Sequence, residues 1–101
     1  MDSNLVFQAL ADKTRRTILE RIYQRSGQSL SALAKGMDVS RQAVSKHMAL
    51  LEKAELVVSK KVGRERLHYL NPLPFRAISG RWLQKFEQVK LVDLMPQDGG
   101  E

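Results

Sequence analysis

One stretch, GMDVSRQAVSKHMALLEKAEL from Gly36 to Leu56, restricts this chain more than any other. It carries apolar residues at helical spacing, and its first two turns hold Arg41, Gln42, Ser45 and Lys46 with no acid among them. Turning roughly 100° per residue gathers Ala43, Val44, Leu50, Leu51 and Ala54 on one side, with Met48 near its edge. Arg41, Gln42, Ser45, Lys46 and Ala49 gather on the other side, joined farther along by Glu52 and Lys53. His47 falls in the middle of the apolar side, where a packed or backbone-bonded imidazole is a better expectation than an exposed one. Ser40 suits the N-cap of this helix, and the Gly36 to Val39 segment suits the tight turn before it.

The flanking sequence supplies companions. Leu5, Val6, Ala9 and Leu10 are spaced for one face of a short first helix. Asp12 is an expected N-cap, accepting from the N–H of Thr14 or Arg15, for a second helix whose stripe is Ile18, Leu19, Ile22 and Tyr23. Arg25 to Ser29 reads as a turn through Gly27, and Ser29 can cap a third short helix carrying Leu30, Leu33 and Ala34. Two short helices joined by a glycine turn, the second with a polar outer face, form a helix-turn-helix. Beyond it, Leu56 to Val62 and Arg66 to Asn71 read as two strands around a tip of Gly63, Arg64 and Glu65. Lys60, Lys61, Arg64 and Arg66 make that hairpin a basic wing. Asn71 to Pro74 stops the second strand, and Pro74 suits the first turn of a last helix. There Phe75, Ile78, Trp82, Phe86 and Val89 recur at intervals of three and four, widened by Leu83 and Val92.

The expected fold is therefore mainly α with a small β-hairpin: four helices, two strands and a last helix, in a winged helix-turn-helix. Residues 1–95 form a single DNA-binding and dimerisation domain, and 96–101 a disordered tail. At 101 residues the core is modest, and an apolar stripe as long as that of the last helix calls for a partner. The same helix of a second copy serves most simply, so Leu5, Val6, Phe75, Ile78, Trp82, Phe86 and Val89 are the candidate dimer contacts.

Seventeen Lys and Arg against eleven Asp and Glu give a net charge of +6, which favours polyanionic partners. No cysteine is present, which removes disulfides, thiolate nucleophiles and thiolate metal sites. No stretch approaches the ~20 apolar residues that cross a bilayer, and the N-terminus lacks a signal-peptide pattern; a cytoplasmic protein without a membrane partner is expected. Catalysis lacks its parts, since no glycine-rich phosphate loop and no histidine in a credible triad occurs. The two isolated histidines, His47 and His68, offer no metal-ligand spacing and no cofactor site.

A helix that enters a DNA major groove must present donors to base edges between two rows of phosphates, which disfavours carboxylates. Arg41 can fork onto guanine O6 and N7, Gln42 can pair with adenine N6 and N7, and Ser45 and Lys46 can reach bases or phosphates. Ser40 adds a phosphate bond to its capping role. Lys60, Lys61, Arg64 and Arg66 would straddle the adjacent minor groove or its phosphates. Arg15 and Arg16 open the second helix, an unfavourable place for cations beside the macrodipole; one can pair with Asp12 or Glu20 while the other, taken as Arg16, reaches phosphate. The competing class is a winged helix that binds protein or RNA, since fold alone does not fix function.

The segments ALADKTRRTILERI, SLSALAKGMDVSRQAVSKHMALLEKAELV and GRERLHYLNP, in that order and spacing, resemble the ArsR/SmtB family of winged-helix repressors over about Leu5 to Trp82. The resemblance implies a homodimer joined through its first and last helices, bound to double-stranded DNA at an inverted repeat, with repression relieved by a signal. Metal-sensing members carry thiolates on the third helix or His and carboxylate clusters on the terminal helices. This chain has SLSALAK in the third helix and no histidine in the last, so it is similar to the metal-independent, cysteine-less branch. An inducer ligand, a protein partner, or nothing beyond autoregulation are all left open by the sequence.

Overall fold

The computed structural model describes residues 2–94 and Pro96. Five helical elements and one hairpin follow in order: α1 (Ser3–Leu10), α2 (Lys13–Gln24), α3 (Leu30–Ala34), α4 (Arg41–Lys53), β1 (Val57–Val62), β2 (Glu65–Leu70) and α5 (Pro72–Ala77). The chain then continues without a break through a π-helical segment (Ile78–Leu83) into α6 (Gln84–Glu87), and a 3₁₀ turn spans Leu91–Leu94. The tail expected over 96–101 lies, beyond Pro96, outside the described residues.

Each early helix begins where a short polar side chain can take up an orphan N–H. Asp2 Oδ1 accepts from Asn4 and Leu5, Asp12 Oδ1 from Arg15 (3.0 Å), Ser29 Oγ from Ala32 and Ser40 Oγ from Ala43 (3.1 Å). The core joins these helices to the base of the hairpin. Val6, Ile18, Ile22, Leu33, Val44, Leu51 and Leu56 are completely buried, with Met48, Ala54, Val57 and Ile78 nearly so. At roughly 1.5–3 kcal/mol for each large apolar side chain removed from water, this cluster outweighs every surface interaction in the domain.

Several expectations change. On α4 the buried line is Val44, Met48, Leu51 and Ala54, whereas Leu50 is 43% exposed; Met48 sits inside because the partners α2 and α3 press on the line i, i+4, i+7. Tyr23 leaves the α2 stripe and is 77% exposed, one residue before α2 ends, while Ile22 beside it fills the core. The strands are each one register shorter at the base than expected, and Val62 pairs with Glu65, so the tip shrinks to Gly63 and Arg64. Gly63 has φ +63°, a two-residue turn conformation that a β-branched residue would resist. A third extended contact was not foreseen: Gln28 bridges His68 on β2, with Gly27 N–H to His68 O and His68 N–H to Gln28 O both 2.9 Å.

The last helix is the largest departure. Gln84 N–H bonds back to Ser79 O, five residues away, within a π-helical stretch that contains Ser79 and Gly80. A π turn holds an extra residue, so everything downstream rotates away from the face an α-helix would present. Phe75 and Ile78, ahead of the extra residue, face the core, while Trp82, Phe86 and Val89 are exposed by 44, 53 and 64%. Val6 and Ile78, expected at a dimer contact, are instead consumed by the protomer's own core, at 0 and 5% exposure.

At the end of α4 the N–H of Glu55 bonds Glu52 O and that of Leu56 bonds Leu51 O, closing the helix with Glu55 at φ +62°. This is the position at which glycine is usual, because an L side chain costs about 1–2 kcal/mol there. Replacing Glu55 with glycine recovers that strain and loses part of it to a more flexible unfolded chain. Glu55→Gly should therefore raise unfolding free energy by up to about 1 kcal/mol in urea titrations; a loss of stability would show that the Glu55 side chain holds this corner.

Candidate nucleic-acid interface

The outward face of α4 is the starting point. Arg41, Gln42, Ser45, Lys46 and Ala49 are all exposed, which follows directly from burial of Val44, Met48 and Leu51 on the other side. The N-terminus of the helix lies at the same end, capped by Ser40, and its uncapped N–H groups add partial positive charge. Across from this face stands the wing. A groove of about 510 Å3 runs between them, with Arg41 and Ser45 on one wall and Arg64 and Arg66 on the other, and Ser29 and Ser31 of the α3 start along its edge. The two expected halves of the interface are thus on the same side of the molecule. Gln42, Lys46, Lys60 and Lys61 do not line the groove; they are exposed around it.

The wing is braced rather than loose. Arg66 Nη1 donates to Ser59 Oγ (3.1 Å) on the neighbouring strand, and Ser59 Oγ donates to Glu52 Oε2 (3.2 Å) on α4. Glu52 and Glu65 also line the groove; Glu52, in the last turns of α4, is engaged by Ser59 and lies away from the helix start. Lys60 Nζ sits 5.5 Å from the centre of the Tyr69 ring, a cation–π contact that leaves the ammonium at the surface. His68, whose direction the strand pattern left undecided, points inward at 4% exposure. Its Nδ1 lies 2.9 Å from Gln28 O, and because a carbonyl only accepts, Nδ1 carries the proton.

The arginines of α2 perform a task that sequence alone did not assign. Arg15 Nε donates to Ala9 O (2.8 Å), its Nη2 to Gln8 O (2.9 Å) and its Nη1 to His47 Nδ1 (3.1 Å). Arg16 Nη1 donates to Leu10 O (2.7 Å). Neither takes the acid partner expected in Asp12 or Glu20, because the carbonyls at the end of α1 lack helical partners and lie within reach. Arg21 does the same for α3, donating to Leu33 O (2.9 Å) and Lys35 O (2.6 Å), and Gln28 Nε2 does so for α2, donating to Arg21 O and Arg25 O. The only hint in the sequence was the awkward placement of two cations at a helix start. Gln28 gave none.

Comparison with known proteins now bears on the geometry. A helix-turn-helix domain family matches residues 10–60. The HTH-type transcriptional regulator YuzN of Bacillus subtilis (strain 168) is 33% identical over 89 residues, covering 82% of this chain and 97% of its own. The ArsR family transcriptional regulator RHA00566 superposes with a TM-score of 0.75 at 35% identity, covering 84% of this chain and 91% of that one.

The chain belongs to the ArsR family of transcriptional regulators.

It is accordingly a DNA-binding helix-turn-helix regulator and not an enzyme. Within the ArsR family it is one of the cysteine-free members. A more distant solved structure, the homodimeric winged helix-turn-helix DNA-binding domain Mb0332 from Mycobacterium bovis, shares the fold with a TM-score of 0.66 at 18% identity, covering 94% of this chain and 85% of its own. No helix among the described residues is long and apolar enough to cross a membrane.

One ionisable group behind the interface is clearly perturbed. The Arg15 backbone N–H donated to its carboxylate holds Asp12 below the ordinary carboxylate range, and the nearby Arg15 guanidinium adds to this. A lowered folded value means that the charged carboxylate stabilises the native state above the unfolded pKa of about 4 and that this contribution disappears as pH falls through the folded value. Asp12→Asn, which keeps the cap but not the charge, should lower the urea midpoint at neutral pH. The gap to the wild type should then narrow progressively on acidification below about pH 4; a gap independent of pH would assign the loss to cap geometry alone.

Proposed function

We infer that the protein is a homodimeric transcriptional repressor, acting in the cytoplasm on an inverted-repeat operator in double-stranded DNA, and that no metal ion controls its release. The observation that carries this reading is the groove between Arg41 and Ser45 at the acid-free start of α4 and Arg64 and Arg66 of a braced wing, its acids Glu52 and Glu65 lying farther along α4 and at the wing, with Gln42, Lys46, Lys60 and Lys61 exposed around it. Arg41 and Gln42 are the base readers. Ser45 and Lys46 reach bases or phosphates, Ser40 combines its cap with a phosphate bond, and the wing cations bind backbone or minor groove. Arg16, exposed and anchored by one Nη to Leu10 O, keeps its other nitrogens for a passing phosphate.

Dimerisation is supported by the surface that the protomer leaves uncovered. Trp82 stacks edge-on against Phe7 (5.0 Å between centroids) and tilted against Phe86 (4.8 Å), yet Trp82, Leu83, Phe86 and Val89 all remain exposed. An apolar ridge of this extent beside half-buried Leu5 and Phe75 fits the same ridge of a second copy. Two recognition helices would then sit about one DNA turn, ~34 Å, apart, and the operator would mirror the protein's two-fold axis. Metal independence is supported by the donor set: the sequence has no cysteine, and among the described residues no three His, Cys, Asp or Glu side chains gather as ligands. Blocking of a promoter by the bound dimer is the simplest consequence.

Arg41→Ala should cost about 1–3 kcal/mol on the operator and little on random duplex, whereas Lys61→Ala should weaken both alike and lower the salt slope by about one. Equal losses on both duplexes for Arg41→Ala would remove it as a base reader. Phe86→Glu should sediment as a folded monomer in analytical ultracentrifugation; an intact dimer would place the interface elsewhere.

A further inference from the structure

Through a single side chain Arg15 ties together the end of α1, the start of α2 and the second turn of α4. Its Nε and Nη2 hold the Ala9 and Gln8 carbonyls at the end of α1, its own backbone N–H is held by Asp12, and its Nη1 meets His47 in the second turn of α4. Arg15 and His47 are 32 residues apart in sequence and both only half-exposed. A guanidinium has donors and no acceptor, so in this bond His47 Nδ1 offers its lone pair and the ring proton belongs on Nε2. His47 directly follows Lys46 and shares a helical turn with Ser45, yet it faces the protein. It is therefore placed to fix the setting of the reading face without touching nucleic acid.

We propose that Arg15, acting through His47, is a positioning residue for operator recognition: the Arg15–His47 bond pins the second turn of α4 to the end of α1 and so sets how the Arg41 and Gln42 face meets the bases. Base readout depends on donor placement to within a fraction of an ångström, whereas attraction to phosphate falls off slowly with distance. Loss of the bond then lowers affinity for the operator more than affinity for random DNA. Because α1 also borders the apolar ridge, the same bond carries the geometry of the dimer to the reading helix. This inference rests on the DNA-reading role of α4 given above, but part of its test is independent of DNA.

The test compares His47→Ala with His47→Asn, whose Oδ1 occupies nearly the position of Nδ1 and can accept from Arg15. His47→Ala should weaken binding to the selected operator about five- to tenfold and change binding to random duplex by less than about twofold, as expected for one charge-assisted hydrogen bond. His47→Asn should stay within about twofold of the wild type. Adding His47→Ala to Arg15→Ala should cost nothing more on the operator, since the two residues act as a unit. Urea midpoints followed by Trp82 fluorescence establish that each variant is folded at the assay conditions. Imidazole 15N shifts of the free protein should show the His47 proton on Nε2, with the Nδ1 shift moving in Arg15→Lys. The proposal is overturned if operator and random duplex lose affinity equally, if folded His47→Asn fails as badly as His47→Ala, if the two losses add, or if the free wild-type protein carries its His47 proton on Nδ1.

Discussion

Burial of one line on α4 governs the rest of the structure. Val44, Met48, Leu51 and Ala54 are held against α2, α3 and the base of β1, and a helix with one face fixed has no freedom to choose what it shows on the other. Exposure of Arg41, Gln42, Ser45 and Lys46 is the geometric complement of that burial. A functional surface here is therefore inherited from the core: any change that rotated α4 by a single residue would present Met48 to solvent and withdraw Ser45. The energetic weight lies with the buried line, at a few kcal/mol per large side chain, while the exposed cations add at most fractions of that to folding. Their role begins when a polyanion arrives.

A second layer fixes the angles between short helices. Helices of four to thirteen residues expose many unpaired carbonyls for their length, and several of these are satisfied by side chains from neighbouring elements. Arg15 and Arg16 serve the end of α1, Gln28 the end of α2, Arg21 the end of α3, and Asn71 Nδ2 the turn after α4 through Glu55 O (3.0 Å). Each bond crosses from one element to another, so each resists sliding as well as fraying. The Gln28–His68 bridge extends the same bracing to the wing, and the Arg66–Ser59–Glu52 chain ties the wing to α4. A two-part DNA surface needs both parts in fixed relation, and these bonds provide it.

Much of this could be read in the sequence. Asp12, Ser29 and Ser40 marked helix starts because a short oxygen-bearing side chain before an apolar-periodic run has few other uses. The β-branched residues disclosed the wing, and the helical spacing showed that Arg41, Gln42, Ser45 and Lys46 share an exposed face. What was not legible has a common cause: it depends on distant partners. Met48 and Leu50 lie at opposite edges of the apolar side, roughly 160° apart around the wheel, and only the actual packing of α2 and α3 decides which is covered. His68 turns inward because Gln28, 40 residues away, offers it a carbonyl. The π segment at Ile78–Leu83 leaves no periodic trace, since the shift it introduces looks like ordinary scatter in spacings of three and four. That shift is what separates Ile78, in the core, from Trp82 and Phe86, outside it.

In the proposed function, one face of a two-fold assembly reads a particular DNA sequence. Selection from a random-sequence duplex library, with purified protein and excess nonspecific competitor at near-physiological salt, tests this most directly. The expected product is an inverted repeat whose half-sites are centred about one helical turn apart, roughly 10–10.5 base pairs. Recovery of no ordered motif, or of a single half-site without a symmetric partner, would contradict it.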